Sequence, residues 1–266
     1  MKQFITYLFI ALFALSAVSC KKDKDENGNG KVQLVKMITT KIISPPPFGD
    51  DVFISNYEYD DKNRITTIIW KNDIGNDVIE QFQCHFIYSG DDLVKVEYET
   101  NGGHQNASDV SKNGNEITVS SYNGEKIGTI KLNSEGYPIF ILRHNYAPPN
   151  LTNFHYFDGN IVSTDNGQSL SYGGSLKYDN KKSPFYHCKT PKWALIYFCS
   201  VQTGWLNEFR YIKNNPIELI CYEEDWWGNI LELKTEYTYE YDENGFVTKR
   251  VYHGEGEYEE GIITYY

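Results

Sequence analysis

The sequence predicts an all-β protein: an antiparallel up-and-down meander of about sixteen short strands that closes into a large barrel or a strongly curved half-barrel. Three observations lead to this prediction. Aromatic residues make up 15% of the 266-residue chain, with 22 Tyr and 14 Phe, and such side chains suit a pleated, half-buried surface. Apolar and polar residues alternate along much of the chain. Turn-forming residues recur about every ten residues, as they do in antiparallel meanders.

The clearest structural unit is the segment 237–252. Tyr237, Tyr239 and Tyr241 alternate with polar residues, which is the pattern of a half-buried strand. The segment 242–245 then supplies Asn and Gly, which tolerate the positive φ angles of tight turns. The two-residue period resumes after this turn. The segment therefore predicts a β-hairpin.

Seven looser copies of this hairpin precede it along the chain. They begin at Tyr57, Phe86, Val110, Ile130, Phe154, Leu176 and Phe209. Further turns lie between the copies, so successive strands should alternate in direction. A twisted sheet of about sixteen strands rarely stays open, and closure removes its exposed edges. Most strands have the pattern of about five to eight residues.

The segment 184–200 breaks this rhythm. It contains Pro184, Pro191 and too many consecutive apolar residues for a half-exposed strand. Thr190 and Pro191 suit the N-cap and the first position of a helix. We expect one short helix or a packed loop near 184–200, which lies over a mouth of the barrel or fills its lumen.

The N-terminus has the features of an export signal. Lys2 precedes an apolar run over 4–18 that is too short for a comfortable membrane span. The run ends in Leu-Ser-Ala-Val-Ser-Cys, which resembles a bacterial lipobox and predicts a lipidated Cys20; an ordinary secretory peptide is the alternative. More than one acyl chain suffices to hold a protein stably on a bilayer.

These features divide the chain into three parts. Residues 1–19 are predicted to form a signal peptide, residues 20–30 the lipidated cysteine with a flexible tether, and residues 31–266 a single barrel domain. The tether lacks apolar residues and so cannot bury any surface. With a net charge of −11, the chain is a poor match for nucleic acid or an anionic membrane surface.

Three segments carry a resemblance to known proteins. The segments 57–62, 176–185 and 237–246, read as aromatic-x-Tyr-Asp hairpins, are similar to tyrosine–aspartate (Rhs-type) repeats. Together with the lipobox, their order resembles a Bacteroidetes lipoprotein family of unknown function described as having a porin-like fold. The resemblance covers roughly residues 31–266. It implies a barrel, and it supplies neither an activity nor catalytic residues.

The charged residues after Cys20 also bear on location. They resemble the signal that sends Bacteroidetes lipoproteins to the outer face of the outer membrane. The expected location is thus the outer membrane, on the cell-surface side, with the periplasmic side as the alternative.

Four further cysteines remain after Cys20, and export would allow them to oxidise. Cys188 and Cys199 flank the irregular segment and are the predicted disulfide. Cys84 and Cys221 lie in strand-like runs, where buried thiols are the alternative to a disulfide. No set of Cys and His residues has the spacing of a zinc site, and no metal or cofactor is predicted.

A turn rich in tryptophan is the candidate binding site. Trp226 and Trp227 stand at a predicted turn, where exposed indoles can stack on sugar rings while Asn229 meets hydroxyl groups. Trp205 is a weaker partner for the same surface. Glycan is therefore a candidate ligand. The alternative is that the two indoles cover the end of the barrel.

The sequence gives no sign of an enzyme. It lacks the motifs of serine hydrolases, phosphate loops and zinc proteases. The carboxylate pairs Glu223/Glu224 and Glu259/Glu260 would suit a glycoside hydrolase, but adjacent strand residues point to opposite faces, and we expect them to be solvated.

The preferred function is a non-catalytic binding module, with glycan or another envelope protein as its partner. A structural or protein-interaction component of the outer membrane is the alternative. A transmembrane barrel or a glycoside hydrolase comes last. The short strands and the lipid anchor argue against a spanning barrel. The alternation over 92–99 and the aromatic residues at 265–266 would suit one.

Overall fold

The computed structural model describes residues 32–43, 50–74, 77–100, 103, 105–144, 150–165, 174–199, 213–224, 229–253 and 258–266. Its strands are β1 (Val35–Ile43), β2 (Asp51–Tyr59), β3 (Ile65–Ile74), β4 (Asp77–Ser89), β5 (Asp92–Thr100), β6 (Gln105–Asn113), β7 (Glu116–Ser121), β8 (Lys126–Leu132), β9 (Pro138–Arg143), β10 (Asn150–Phe157), β11 (Asn160–Asp165), β12 (Gly174–Tyr178), β13 (Pro216–Glu224), β14 (Ile230–Tyr241), β15 (Val247–His253) and β16 (Tyr258–Tyr265). The helix of the described residues is α1 (Lys192–Phe198).

These strands form one closed barrel. Each strand pairs in antiparallel fashion with its neighbours along the chain, and β16 returns to pair with β1. The predicted meander and its closure are therefore confirmed. The strands are longer than predicted, since half of those described have nine or more residues and β4 has 13. Among the described residues, no helix has the length and apolar character needed to cross a membrane.

In three hairpins, one side chain fixes the turn. Oδ1 of Asp242 accepts hydrogen bonds from the backbone N–H groups of Asn244 at 2.9 Å and Phe246 at 2.8 Å. Oδ1 of Asp60 and Oδ1 of Asn133 accept from the residues two and four positions later in the same way. This is why Asp or Asn opens the turn in the sequence repeat.

The turn between β12 and β13 uses the same device across a long insertion. Oδ1 of Asp179 accepts the N–H of Lys181 at 3.0 Å and the N–H of Asn215 at 3.0 Å. Asn215 takes the place that the fourth residue after the aspartate has in the short turns. Residues 180–214 are thus an insertion into a hairpin turn, and both of its ends meet at one carboxylate.

The repeated tyrosines join neighbouring hairpins. Near the ends of five even-numbered strands, a tyrosine hydroxyl donates a hydrogen bond to a carbonyl at the start of the preceding strand. The pairs are Tyr88 with Ile65, Tyr156 with Pro138, Tyr178 with Ile161, Tyr239 with Pro216, and Tyr265 with Val247, over 2.5–3.1 Å. The tyrosine of the repeat therefore packs its ring and also satisfies a backbone acceptor.

The apolar face of the wall points into the barrel. On β5, Val96 is fully buried and Tyr98 packs in the core, while Lys95 and Glu97 form an ion pair of 2.7 Å on the outer face. Farther around the wall, ion pairs link β12, β13 and β14 on the outside through Lys177, Glu218 and Lys234, with N–O distances of 2.6 and 3.1 Å. At these strands the wall is therefore charged outside and apolar inside.

The helix of the insertion fills the lumen. In α1, every residue from Trp193 to Phe198 is buried. The ring of Phe198 lies 6.3 Å from that of Phe86 and 6.4 Å from that of Tyr98, both on the wall. At Gly128 an added Cβ would lie 2.2 Å from the Tyr197 hydroxyl, so glycine is needed for this close approach. The short helix is confirmed, and it fills the lumen.

The start of this helix differs by one residue from the prediction. Pro191 is the N-cap, and the helix begins at Lys192. The Thr190 hydroxyl makes no capping bond, because it accepts the backbone N–H of Ile65 at 2.7 Å. A tertiary contact with β3 thus takes the side chain that the sequence suggested for the cap.

Candidate functional site at the barrel mouth

One end of the barrel contains a cavity of about 490 Å³, which we call the mouth cavity. It lies between the inserted segment 186–193 and the hairpin turns that follow β4 and β8. This is also the end at which β1 begins and at which the Asp242 turn lies, because β1 starts and β14 ends on the same side of an antiparallel meander.

The floor of the mouth cavity is apolar. Leu93, Ile117, Leu132 and Trp193 line it, and each is between 1% and 8% exposed. Leu93, Ile117 and Leu132 lie at the starts and ends of β5, β7 and β8, where the wall meets the insertion. The floor is therefore the upper surface of the protein core.

Two hydrogen bonds hold the insertion beside the cavity. The N–H of Lys189 donates to the carbonyl of Asn63 at 2.9 Å, and the N–H of Ile65 donates to Oγ1 of Thr190 at 2.7 Å. Thr190 is 1% exposed, so its bond is shielded from water. Both contacts fix the segment 188–193 against the start of β3.

Lys192 places a cation at the edge of the apolar floor. Its side chain is half-buried, and Nζ donates to the carbonyl of Cys188 at 3.3 Å. Within the described residues it forms no salt bridge. Burial lowers the pKa of Lys192 below its usual range, while the nearby Cys188 and Lys189 have smaller effects.

Two of the three acidic residues that line the cavity have cationic neighbours. Oδ1 of Asp91 lies 2.6 Å from Nζ of Lys62 and 3.9 Å from Nη1 of Arg64. The hydrogen bond from Lys62 lowers the pKa of Asp91, which is therefore ionised at neutral pH. Asp92 lies 3.9 Å from Nζ of Lys112. The rim thus has two carboxylates with cationic neighbours.

The cysteines leave the predicted disulfide open. Cys188 lines the mouth cavity, is 3% exposed and is a thiol in this structure, while Cys199 caps the C-terminal end of α1. Their pairing stays a prediction, which mass spectrometry of the oxidised protein would test. Cys84 is fully buried, and burial raises the pKa of its thiol well above the usual range.

Most of the residues predicted for ligand binding and lipidation lie outside the described residues. These are Trp226 and Trp227 of the tryptophan turn, Trp205 and Cys20. Asn229 is described and exposed, just before β14. Asn229 and the adjoining start of β14 lie at the end of the barrel opposite the mouth cavity. Of the residues predicted for glycan binding, Asn229 is therefore separate from the mouth cavity.

One of the predicted carboxylate pairs is corrected. Glu259 and Glu260 do face opposite sides of the wall, as expected. Glu260 lies outside, 2.8 Å from Nζ of Lys249. Glu259, however, is not solvated: it is 4% exposed and forms an ion pair with Arg250, which is 1% exposed. An arginine on the neighbouring strand β15 compensates for the buried carboxylate.

Sequence reasoning missed the residues that build the mouth cavity. Lys112, Lys189 and Lys192 look like ordinary solvated lysines in the sequence, and barrel closure brings them to one mouth. Within the described residues, no cluster of His, Cys, Asp and Glu could hold a metal ion. The site offers ammonium groups, an indole and an apolar floor, which suit binding of an organic molecule.

Comparisons with known proteins bear on the fold. No protein-family model matches the chain, and a comparison with curated proteins finds no match. Among solved structures, a porin-like protein from Bacteroides uniformis is similar over 87% of this chain and 96% of its own, with 14% identity and a TM-score of 0.50. A porin-like protein from Bacteroides vulgatus matches 88% of this chain and 99% of its own, with 10% identity and a TM-score of 0.34.

The first of these likenesses shows that the chain shares a porin-like barrel fold with a Bacteroides protein. At this low identity it concerns the fold alone. The resemblance to a lipoprotein family and to tyrosine–aspartate repeats stays a prediction.

Proposed function

We propose that this protein is a lipid-anchored outer-membrane protein that binds a small ligand, with glycan as the expected class, and does not convert it chemically. The mouth cavity carries the proposal, because it is a concave site of about 490 Å³ with an apolar floor and a few polar groups at its rim. Ligand sites in proteins commonly have this size and composition.

The polarity of the wall favours a lipid anchor on Cys20 over a barrel that spans the membrane. Transmembrane barrels carry an apolar band outside and polar residues inside. Here Val96 faces inward, while Lys95 and Glu97 pair on the outer face. Strand length is not a reason against spanning, since half of the described strands have at least nine residues. The arrangement of charge is the reason.

A packed lumen also argues against a conduit. The buried helix α1 contacts the wall through Phe198, Tyr197 and their neighbours. A solute could pass only if this packing came apart. Binding at the mouth is the use that this barrel supports best.

The state of Asp91 favours binding without turnover. Glycoside hydrolysis needs a carboxylic acid whose pKa is raised, so that it can donate a proton. The pKa of Asp91 is lowered by its bond to Lys62, which is opposite to that requirement. We therefore expect bound glycan to be recovered intact.

A glycan array probed with the purified full-length protein tests this proposal, followed by calorimetric titration of each hit and mass spectrometry of the recovered ligand. Binding that is lost in a Lys112→Glu/Lys189→Glu variant and kept in a Trp226→Ala/Trp227→Ala variant would support the mouth cavity. The reverse result would move the site to the tryptophan turn.

Absence of any glycan binding, with another envelope protein co-purifying from intact membranes, would favour the structural alternative and contradict the proposal. Lipidation and location have their own test. Labelled palmitate should enter the wild type and not a Cys20→Ser variant, and protease added to intact cells should cleave a surface-facing protein.

A further inference from the structure

If the mouth cavity binds glycan, as proposed above, the charges around the cavity indicate which class of glycan it takes. Lys192 brings a positive charge to the mouth cavity without a carboxylate to balance it. Among the described residues, its hydrogen-bond partner is the carbonyl of Cys188 at 3.3 Å. A neutral carbonyl compensates a partly desolvated ammonium group less well than a carboxylate does.

Two more lysines of the rim have spare capacity. Nζ of Lys112 lies 3.9 Å from Asp92, at the limit of an ion pair. Lys189 is exposed and has no salt bridge among the described residues. Asp91, by contrast, is held by Lys62 at 2.6 Å. The lysines that line the cavity are therefore poorly compensated, whereas of its acids Asp91 is held in a close ion pair.

Packing alone does not explain the charge of Lys192. Lys192 is half-buried, and a methionine there would have a side chain of similar length without desolvating an ammonium group. Elsewhere in this barrel, a buried cation does receive a carboxylate: Arg250 pairs with Glu259. An anionic ligand would compensate the charge of Lys192 in the same way.

The floor of the cavity indicates what else this partner carries. Trp193 is 6% exposed and lines the cavity beside Leu93 and Leu132. An indole and aliphatic side chains form a surface that suits the apolar face of a ring. The volume of about 490 Å³ falls within the range of sites for small organic molecules.

We propose that the mouth cavity binds a carboxylate carried on a six-membered ring, with Nζ of Lys192 paired to the carboxylate and the ring lying over the floor that Trp193 lines. A hexuronic acid is the favoured form. The carboxylates of Asp92 and Glu135 on the rim can accept hydrogen bonds from its hydroxyl groups. An aromatic acid has the same carboxylate and ring but lacks those hydroxyls.

Calorimetric titration of the full-length protein tests the proposal with D-glucuronate, D-glucose and benzoate as probes. We expect glucuronate to bind at least tenfold more tightly than glucose, because only glucuronate offers a charge to Lys192. In a Lys192→Met variant, glucuronate affinity should fall at least tenfold, a change of about 1.4 kcal/mol. The matched control is Lys126→Met, an exposed lysine at the opposite end of the barrel, and it should bind like the wild type.

The thermal midpoint of each variant separates loss of binding from loss of folding. Lys192→Met should unfold no earlier than the wild type, so weaker binding in this variant reports the missing charge. Equal affinity for glucose and glucuronate, or unchanged binding by Lys192→Met, would overturn the inference while leaving the proposed function intact. Tighter binding of benzoate than of glucuronate would assign the site to aromatic acids and overturn the sugar. Absence of binding by all three probes and by the glycan array would contradict both proposals.

Discussion

Two cations inside this barrel differ in what balances them. Arg250 on β15 is 1% exposed and pairs with Glu259 on β16, which is 4% exposed. Lys192 at the mouth cavity is half-buried and has a carbonyl as its partner among the described residues. The first pair lies within the core, where no solute can reach it. The second cation borders a cavity.

This difference separates structural charge from charge available to a ligand. A buried ion pair is expensive to break, because removal of one partner leaves the other desolvated and uncompensated. A cation without a carboxylate already carries part of that penalty in the folded protein. Any change that supplies an anion or removes the positive charge relieves this desolvation penalty.

The largest effect should come from breaking the core pair. We expect Glu259→Gln to lower the free energy of unfolding by about 3–5 kcal/mol, because Arg250 is left as an unpaired buried charge. Guanidinium denaturation followed by tryptophan fluorescence measures this. The matched control is Glu260→Gln, which removes the exposed pair with Lys249 and should change stability by less than about 1 kcal/mol. Equal losses of stability in the two variants would show that the buried pair of Glu259 contributes no more than the exposed pair of Glu260.

The opposite sign is expected at the cavity. Lys192→Met should raise the free energy of unfolding by about 1 kcal/mol in the absence of ligand, because it removes a partly desolvated charge and keeps the apolar stem. Lys189→Met, an exposed lysine of the same rim, should stay within about 0.5 kcal/mol of the wild type. Destabilisation by Lys192→Met in the same denaturation experiment would mean that the ammonium group supports the fold.

The smallest expected effect is a pH dependence of the stability that Lys192→Met gains over the wild type. The pKa of Lys192 in the folded protein lies below its ordinary 10.5, because burial disfavours the charged form. Between the two pKa values the unfolded chain binds more protons, so a rise in pH stabilises folded wild type. The cost of desolvating charged Lys192 is fully present below its pKa in the folded protein. It disappears as the pH approaches the ordinary pKa of lysine.

The advantage of Lys192→Met over the wild type should therefore shrink as pH rises from 7 toward 10.5. Denaturation curves of both proteins across this range measure it. A constant difference would show that Lys192 titrates as an exposed lysine does.

Most of the barrel could be predicted because its signals are local. The alternation of Tyr237, Tyr239 and Tyr241 and the turn opened by Asp242 lie within one short segment, and the structure forms that hairpin. Strand lengths were underestimated, since polar stretches such as those in β4 continue the ladder through backbone hydrogen bonds that carry no side-chain signature.

The mouth cavity could not be predicted in the same way. Lys112, Glu135 and Lys192 come together only through closure of the wall and the return of the insertion, and no local pattern marks them. The burial of Glu259 was missed for a related reason, because its partner Arg250 lies on another strand. The bond from Asn215 to Asp179 bridges 36 positions and looks in sequence like two unrelated polar residues.

That bond at Asp179 bears on how such proteins can diversify. Since the insertion leaves and re-enters the wall at one carboxylate, its length and contents can change without altering the register of any strand. The same barrel wall could then enclose a different inserted segment. Its mouth cavity and its ligand preference would differ accordingly. Related barrels would vary most between these two residues and least in the ribbons that surround them.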